Sequence, residues 1–159
     1  MRANTTFRVL GVIMKMYDCK LHRFLDAQEN RYAQVVRELK NQKKESHWMW
    51  FIFPQIIGLG QSEIAKFYAI SSIEEAIAYI ENPILGSRLK ECCELIYNIE
   101  GQDIQNILGY PDDLKLKSSV TLFSLLENSD PVFKNVLDKF YGRQPDDLTL
   151  DIVFRMKNQ

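Results

Sequence analysis

The chain has 159 residues, of which 46% are hydrophobic and 26% charged, and a formal net charge of −1. That length suits one domain with a real core, and the composition is that of a folded globular protein rather than a disordered one. The near-balanced charge argues against a dedicated polyanion binder, so no nucleic acid is expected as a partner, although a local anion pocket remains open.

The chain begins "MRANTTFRVLGVIMKMYDCK". Its apolar patch, Val9 to Met14, is thinner than a signal-peptide core, and no small-x-small cleavage site follows. Residues 1–16 are read as an N-terminal tail, loosely packed, or as the product of a start placed too early. A helical domain is expected over 17–156. From Cys19 to Asn41, Leu21, Phe24, Leu25, Tyr32, Val35, Val36 and Leu39 recur at helical spacing, and Arg23, Asp26, Glu29, Arg37, Glu38 and Lys40 take the other face. The aromatic block "SHWMWFIFPQ", Ser46 to Gln55, reads as a buried helix closed by Pro54. After the "GLGQS" loop, Ser62 caps a short helix, and Ser72 with Glu75 makes a capping box in sequence. Asn82 with Pro83 starts a long helix that Gly101 stops. Asp103 to Leu108 forms a short helix, "DDLKLK" is extended or loop, and the next helix begins at Ser118 or Ser119. Asp130 with Pro131 opens another helix, and Asp146 or Asp147 caps the last, through Met156. The prediction is a single compact all-α domain of about seven helices with no significant sheet.

No run approaches the roughly 18–20 apolar residues of a membrane span, so no membrane partner is expected. The cysteines are Cys19, Cys92 and Cys93; the odd count shows no disulfide framework and points to a cytoplasmic setting. No metal site is predicted, because the Cys19–His22 pair has no second close pair to complete a tetrahedral set. No cofactor is implied, since "GLG" is too short for a dinucleotide fingerprint. The oligomeric state is left open.

Two stretches carry possible chemistry. In the aromatic block, Met49, Phe51, Ile52 and Phe53 are most simply core. Ser46, His47 and Gln55 have chemistry that packing does not require, and Trp48 or Trp50 could stack on a flat ligand. His47 is the candidate acid or base, since imidazole titrates near neutral pH; the alternative is a histidine that donates one hydrogen bond to a backbone carbonyl. In "KLKSSVTLF", Lys115, Lys117, Ser118 and Ser119 would meet a helix start, where unpaired N–H groups favour an anion. The plain alternative is that a serine merely caps the helix.

The segments "AQ" at 27–28, "SHWMWFIFPQ", "GLGQS", "EEAIAYIENPILGSRL", "DLKLKSSVTLF" and "LDKFYG" resemble a bacterial and fungal family, the domain of unknown function numbered 1810. The likeness runs from about residue 17 to 152. It implies a mainly α-helical single domain and no established activity. Some members are labelled calpastatin-like, but calpastatin's inhibitory repeats are disordered and this composition is that of a folded domain. By resemblance, the characteristic polar positions fall on Ser46, His47, Gln55, Lys115, Ser118, Ser119 and Thr121. Val120 stands where methionine is expected.

Two functions are weighed. In the first, both stretches face one cleft that takes a small anionic, flat-ringed, nucleotide-like ligand: His47 is acid or base, Lys115 and the serines hold the anion, and Trp48 or Trp50 stacks. In the second, the protein is a non-catalytic helical interaction module, with an exposed apolar patch for a peptide or partner helix.

Overall fold

In the computed structural model, which describes residues 20–159, the first helical segment runs over 20–29 (α1) and stops at a turn through Asn30 and Arg31. The expectation for residues 1–16 lies outside the described residues, as does Cys19. The remaining helices are α2 (Tyr32–Lys40), α3 (Met49–Ile52), α4 (Glu63–Phe67), α5 (Ile73–Glu81), α6 (Pro83–Tyr97), α7 (Ile104–Leu108), α8 (Asp112–Ser124), α9 (Pro131–Phe140) and α10 (Asp147–Lys157). The all-α class is as predicted. The helix count among the described residues is ten rather than about seven. The helices expected in chain order already include the short α3, α4 and α7, and the split of the first helix adds one more.

The split lies just beyond a buried glutamine. Gln28 is fully buried; its Nε2 donates to Phe51 O at 2.7 Å and to the Tyr79 hydroxyl at 3.2 Å, while Arg88 donates to its carbonyl oxygen at 3.3 Å. The turn then closes with Arg31 N donating to Gln28 O. A side chain held in this way satisfies polar groups that burial would otherwise penalise.

Local signals set most helix starts. Asn82 accepts from the Ile84 and Leu85 amides, Asp130 from Val132 N, Ser62 from Ala65 N and Asp146 from Thr149 N. Each satisfies donors that the first helical turn leaves open. The Ser72–Glu75 box is only half formed. Ser72 accepts from Glu75 N, but the Glu75 carboxylate turns to Ser71 N and to Arg23, whose guanidinium lies 2.8 Å away.

α8 is the central helix, packed against α3, α5, α7, α9 and α10. Its residues from Ser118 to Phe123 are all buried. Phe123 lies between the rings of Tyr79 and Phe133, and Phe24 meets Tyr79 edge-on at 5.0 Å. No strand forms among the described residues. One isolated parallel bridge joins Ile56 and Ile70, with Ile57 N donating to Ile70 O and Ile70 N to Gln55 O. It clamps the two ends of the segment that carries α4 and lays that segment beside the aromatic block. No helix of the described residues is long and apolar enough to cross a membrane.

Candidate functional site

The aromatic block is not one helix. Only Met49 to Ile52 make a turn; Ser46 and His47 precede it in a bend, and the chain after Phe53 is extended towards the Ile56 bridge. Met49, Phe51, Ile52 and Phe53 are buried, as the sequence suggested. Trp48 is buried too, at 1% exposure, and its indole N–H donates to Glu38. Trp50 alone of the two tryptophans stays partly exposed.

Glu38 is a correction to the sequence reading, which put it on the polar face of the first helix. It is 4% exposed. Its carboxylate accepts from Glu45 N at 2.9 Å, Ser46 N at 2.6 Å, Ser46 Oγ at 3.0 Å and the Trp48 indole. Burial pushes this carboxyl up, but the hydrogen bonds from Trp48, Ser46 and the two amides outweigh it and hold the group below the usual carboxylate range. The Ser46 hydroxyl and the Trp48 N–H are thus used inside the fold.

A second correction concerns "DDLKLK". It is helical: α8 starts at Asp112, not at Ser118, and has Asp112 and Asp113 in its first turn, where carboxylates suit the dipole. Lys115 and Ser118 therefore sit within a helix, and the anion-binding helix start expected there does not exist. The Ser118 hydroxyl donates to Leu114 O at 3.2 Å, and Thr121 Oγ1 donates to Lys117 O and accepts from Asp146 N. Ser119 is fully buried and its Oγ has no partner. Replacing it by alanine removes an unsatisfied hydroxyl from the core. Ser119→Ala is expected to hold stability or raise it by about 1 kcal/mol, and denaturant unfolding checks this; a clear loss would mean that the hydroxyl has a partner after all.

The lysine does meet the aromatic block. Lys115 Nζ lies 4.5 Å from the centre of the Trp50 ring and 3.4 Å from Asp112 Oδ1. Lys44 holds the other Asp112 oxygen at 2.8 Å and lies 5.2 Å from the Trp48 ring. Two lysines thus meet one carboxylate, Lys115 beside Trp50 and Lys44 beside Trp48. Neither Lys44 nor Asp112 was foreseen as part of this arrangement.

The two stretches do not face one cleft as expected: His47 and the lysine–serine helix line separate open clefts, each of which Trp50 also lines. One, of about 330 Å³, brings together Trp50, Gln55, Lys115 and Ser118 with Gln61 and Ser62 from the segment leading into α4. The other, of about 360 Å³, holds His47 with Asp26, Asn30, Arg31, Phe51 and Tyr68. His47 is exposed, and its backbone oxygen accepts from Arg31 Nη1 at 3.3 Å. Ser46, Trp48, Ser119 and Thr121 line neither cleft. Among the described residues the two thiols are poor nucleophiles: burial pushes Cys92 up to about 12 and Cys93 well above its ordinary value.

Residues 18–153 match the model of the family described as "Protein of unknown function (DUF1810)". The chain belongs to this family. It is also similar to Rv1873, a conserved hypothetical protein of Mycobacterium tuberculosis with a crystal structure at 1.38 Å. The two share 46% sequence identity with a TM-score of 0.83, over 84% of this chain and 96% of that one. No curated protein matches. The crystal structure shares the helical architecture, and the family's description assigns no activity.

Proposed function

We propose that the clefts around Trp50 bind a small anionic, flat-ringed and nucleotide-like ligand. The observation that carries this is Trp50 itself. It is partly exposed beside the buried Trp48, Met49, Phe51 and Ile52, lies under the Lys115 ammonium group and lines two open clefts. An indole beside a cation suits a ligand that is both flat and anionic. Lys115 supplies the anion contact; Gln55 and Ser118 add polar groups in the same cleft. His47 stands in the adjoining cleft as the imidazole available for acid or base work on a bound ligand. A cytoplasmic setting belongs to the same reading, supported by Cys92 and Cys93, which are unpaired and buried.

The test is a thermal-shift screen with mononucleotides, sugar phosphates and dinucleotides. A ligand at 100 times its dissociation constant adds about 2.7 kcal/mol of stability. Lys115→Ala is expected to abolish the shift while the unliganded melting temperature stays within a few degrees. His47→Ala is expected to keep binding and to lose any turnover. No shift with any compound at millimolar concentration would overturn the proposal.

The interaction-module reading keeps one supporting observation. Ile64 and Phe67, one turn apart on α4, are 43% and 59% exposed. That pair is small beside the several hundred Å² of a typical interaction patch.

A further inference from the structure

We infer that the cleft holding His47 is itself an oxyanion site, in which Arg31 grips a phosphate or phosphomonoester group beside the imidazole. This goes beyond the Lys115 reading, and either site can stand without the other. Arg31 lies in the turn between α1 and α2, and its guanidinium is held in place twice. Nη1 donates to His47 O at 3.3 Å, and Cζ lies 5.8 Å from the centre of the Phe51 ring. Phe51 is 4% exposed and packed on Tyr68, so its ring is floor rather than a stacking surface. Neither contact neutralises the charge, and Arg31 forms no ion pair with a described residue. The carbonyl takes one N–H donor and leaves the others of the fork for a ligand.

The rest of the cleft supplies more donors than acceptors. Asn30 is exposed beside Arg31, and Tyr68, at the end of α4, is half-buried. Neither the Asn30 amide nor the Tyr68 hydroxyl makes a side-chain hydrogen bond among the described residues. His47 adds its ring N–H. Asp26 is the one carboxylate lining this cleft; it is exposed and unpaired with Arg31, so water screens its charge. An ionised phosphoryl group accepts hydrogen bonds in several directions, which suits donors brought from the α1–α2 turn, the bend before α3 and the end of α4. A carboxylate presents its oxygens in one plane and would leave part of this set unused. The charge-assisted fork of Arg31 is the strongest contact of the set.

Phosphate titration of the full chain, followed on the imidazole proton resonances at fixed pH and ionic strength, tests this. The chain has two histidines, and His47→Ala identifies the His47 signals. Inorganic phosphate should shift them saturably at millimolar concentration and leave those of His22, which lines neither cleft, nearly still. Glycerol 3-phosphate separates the two sources of the group: tighter binding than inorganic phosphate assigns the site to an ester, weaker binding to the free ion. Glycerol alone should do nothing. Arg31→Ala should weaken phosphate about tenfold, with Arg31→Lys between. Because Arg31→Ala also releases the His47 carbonyl, Asp26→Asn is a second variant; it removes only the opposing charge and should tighten phosphate about twofold. Lys115→Ala should keep the His47 shift. A shift lost in Lys115→Ala, or unchanged in Arg31→Ala, overturns this site and leaves the Lys115 cleft to its own test. No shift of the His47 signals at any phosphate concentration up to the tens of millimolar overturns it outright.

Discussion

Glu38→Ala is expected to destabilise the protein by about 4 kcal/mol, the largest single effect we foresee among polar residues. The substitution leaves four donors without an acceptor: two backbone amides, the Ser46 hydroxyl and the buried Trp48 indole N–H. Water cannot readily replace the carboxylate, because both Glu38 and Trp48 are buried. An apolar core of the same size would not be penalised in this way; the cost comes from removing one side of a satisfied set. Glu38→Gln should recover only part of the loss, since its amide brings a donor to a place that wants acceptors alone. The pH dependence follows from the lowered pKa of this carboxyl. With the folded value below the unfolded one, the contribution is fully present above the ordinary carboxylate range and is lost as pH falls through the folded value. Chemical denaturation of wild type and Glu38→Ala from neutral to acidic pH should therefore show a gap that closes towards low pH. A gap that stays constant would mean that the ionised form is not what the fold requires.

Gly86→Ala is expected to cost about 3 kcal/mol or more, by a different route. Gly86 sits in the first turn of α6, just after the Asn82 corner that follows α5. A Cβ built there would lie 2.0 Å from Ile80 O and 2.9 Å from Ile80 C. Both are backbone atoms of α5, so no side chain can swing aside; the corner between the two helices must open. That would loosen Tyr79 and Leu85, both fully buried, and through Tyr79 the hydrogen bonds with Gln28 and Phe51 O. A melting temperature lowered by roughly 10 °C is expected for a chain of this size. A melting temperature within a degree or two of wild type would contradict the close approach. Gly101→Ala makes a useful contrast: a Cβ there meets nothing, and any cost comes only from its φ of +71°.

The two substitutions mark where sequence is informative and where it is not. The helix caps at Ser62, Asn82, Asp130 and Asp146 were legible because a cap and its partner lie within three residues of each other. The aliphatic and aromatic core was legible because it repeats at helical spacing. Glu38 was misplaced because its four donors come from a loop seven to ten residues on, and nothing in a helical pattern marks which acidic residue the chain will fold back upon. The Lys44–Asp112 pair joins residues far apart in the chain, and Asp112 reads as loop because two acidic residues after Gly109 and Pro111 look like a turn. The same misreading moved the start of α8 by six residues and invented an anion site at Ser118. Most of the aromatic block is core, Trp48 is tied to Glu38, and Trp50 is the tryptophan left partly exposed, which is why the proposed ligand site centres on it.

Tryptophan emission tests that conclusion most directly. The chain has two tryptophans, of which Trp48 is buried and Trp50 is not. A mononucleotide titrated into the wild type should change the emission in a saturable way, and in Trp50→Phe, where only the buried Trp48 reports, that change should vanish. An emission that does not respond in the wild type, or responds equally in Trp50→Phe, would contradict the assignment of Trp50 as the centre of a ligand site.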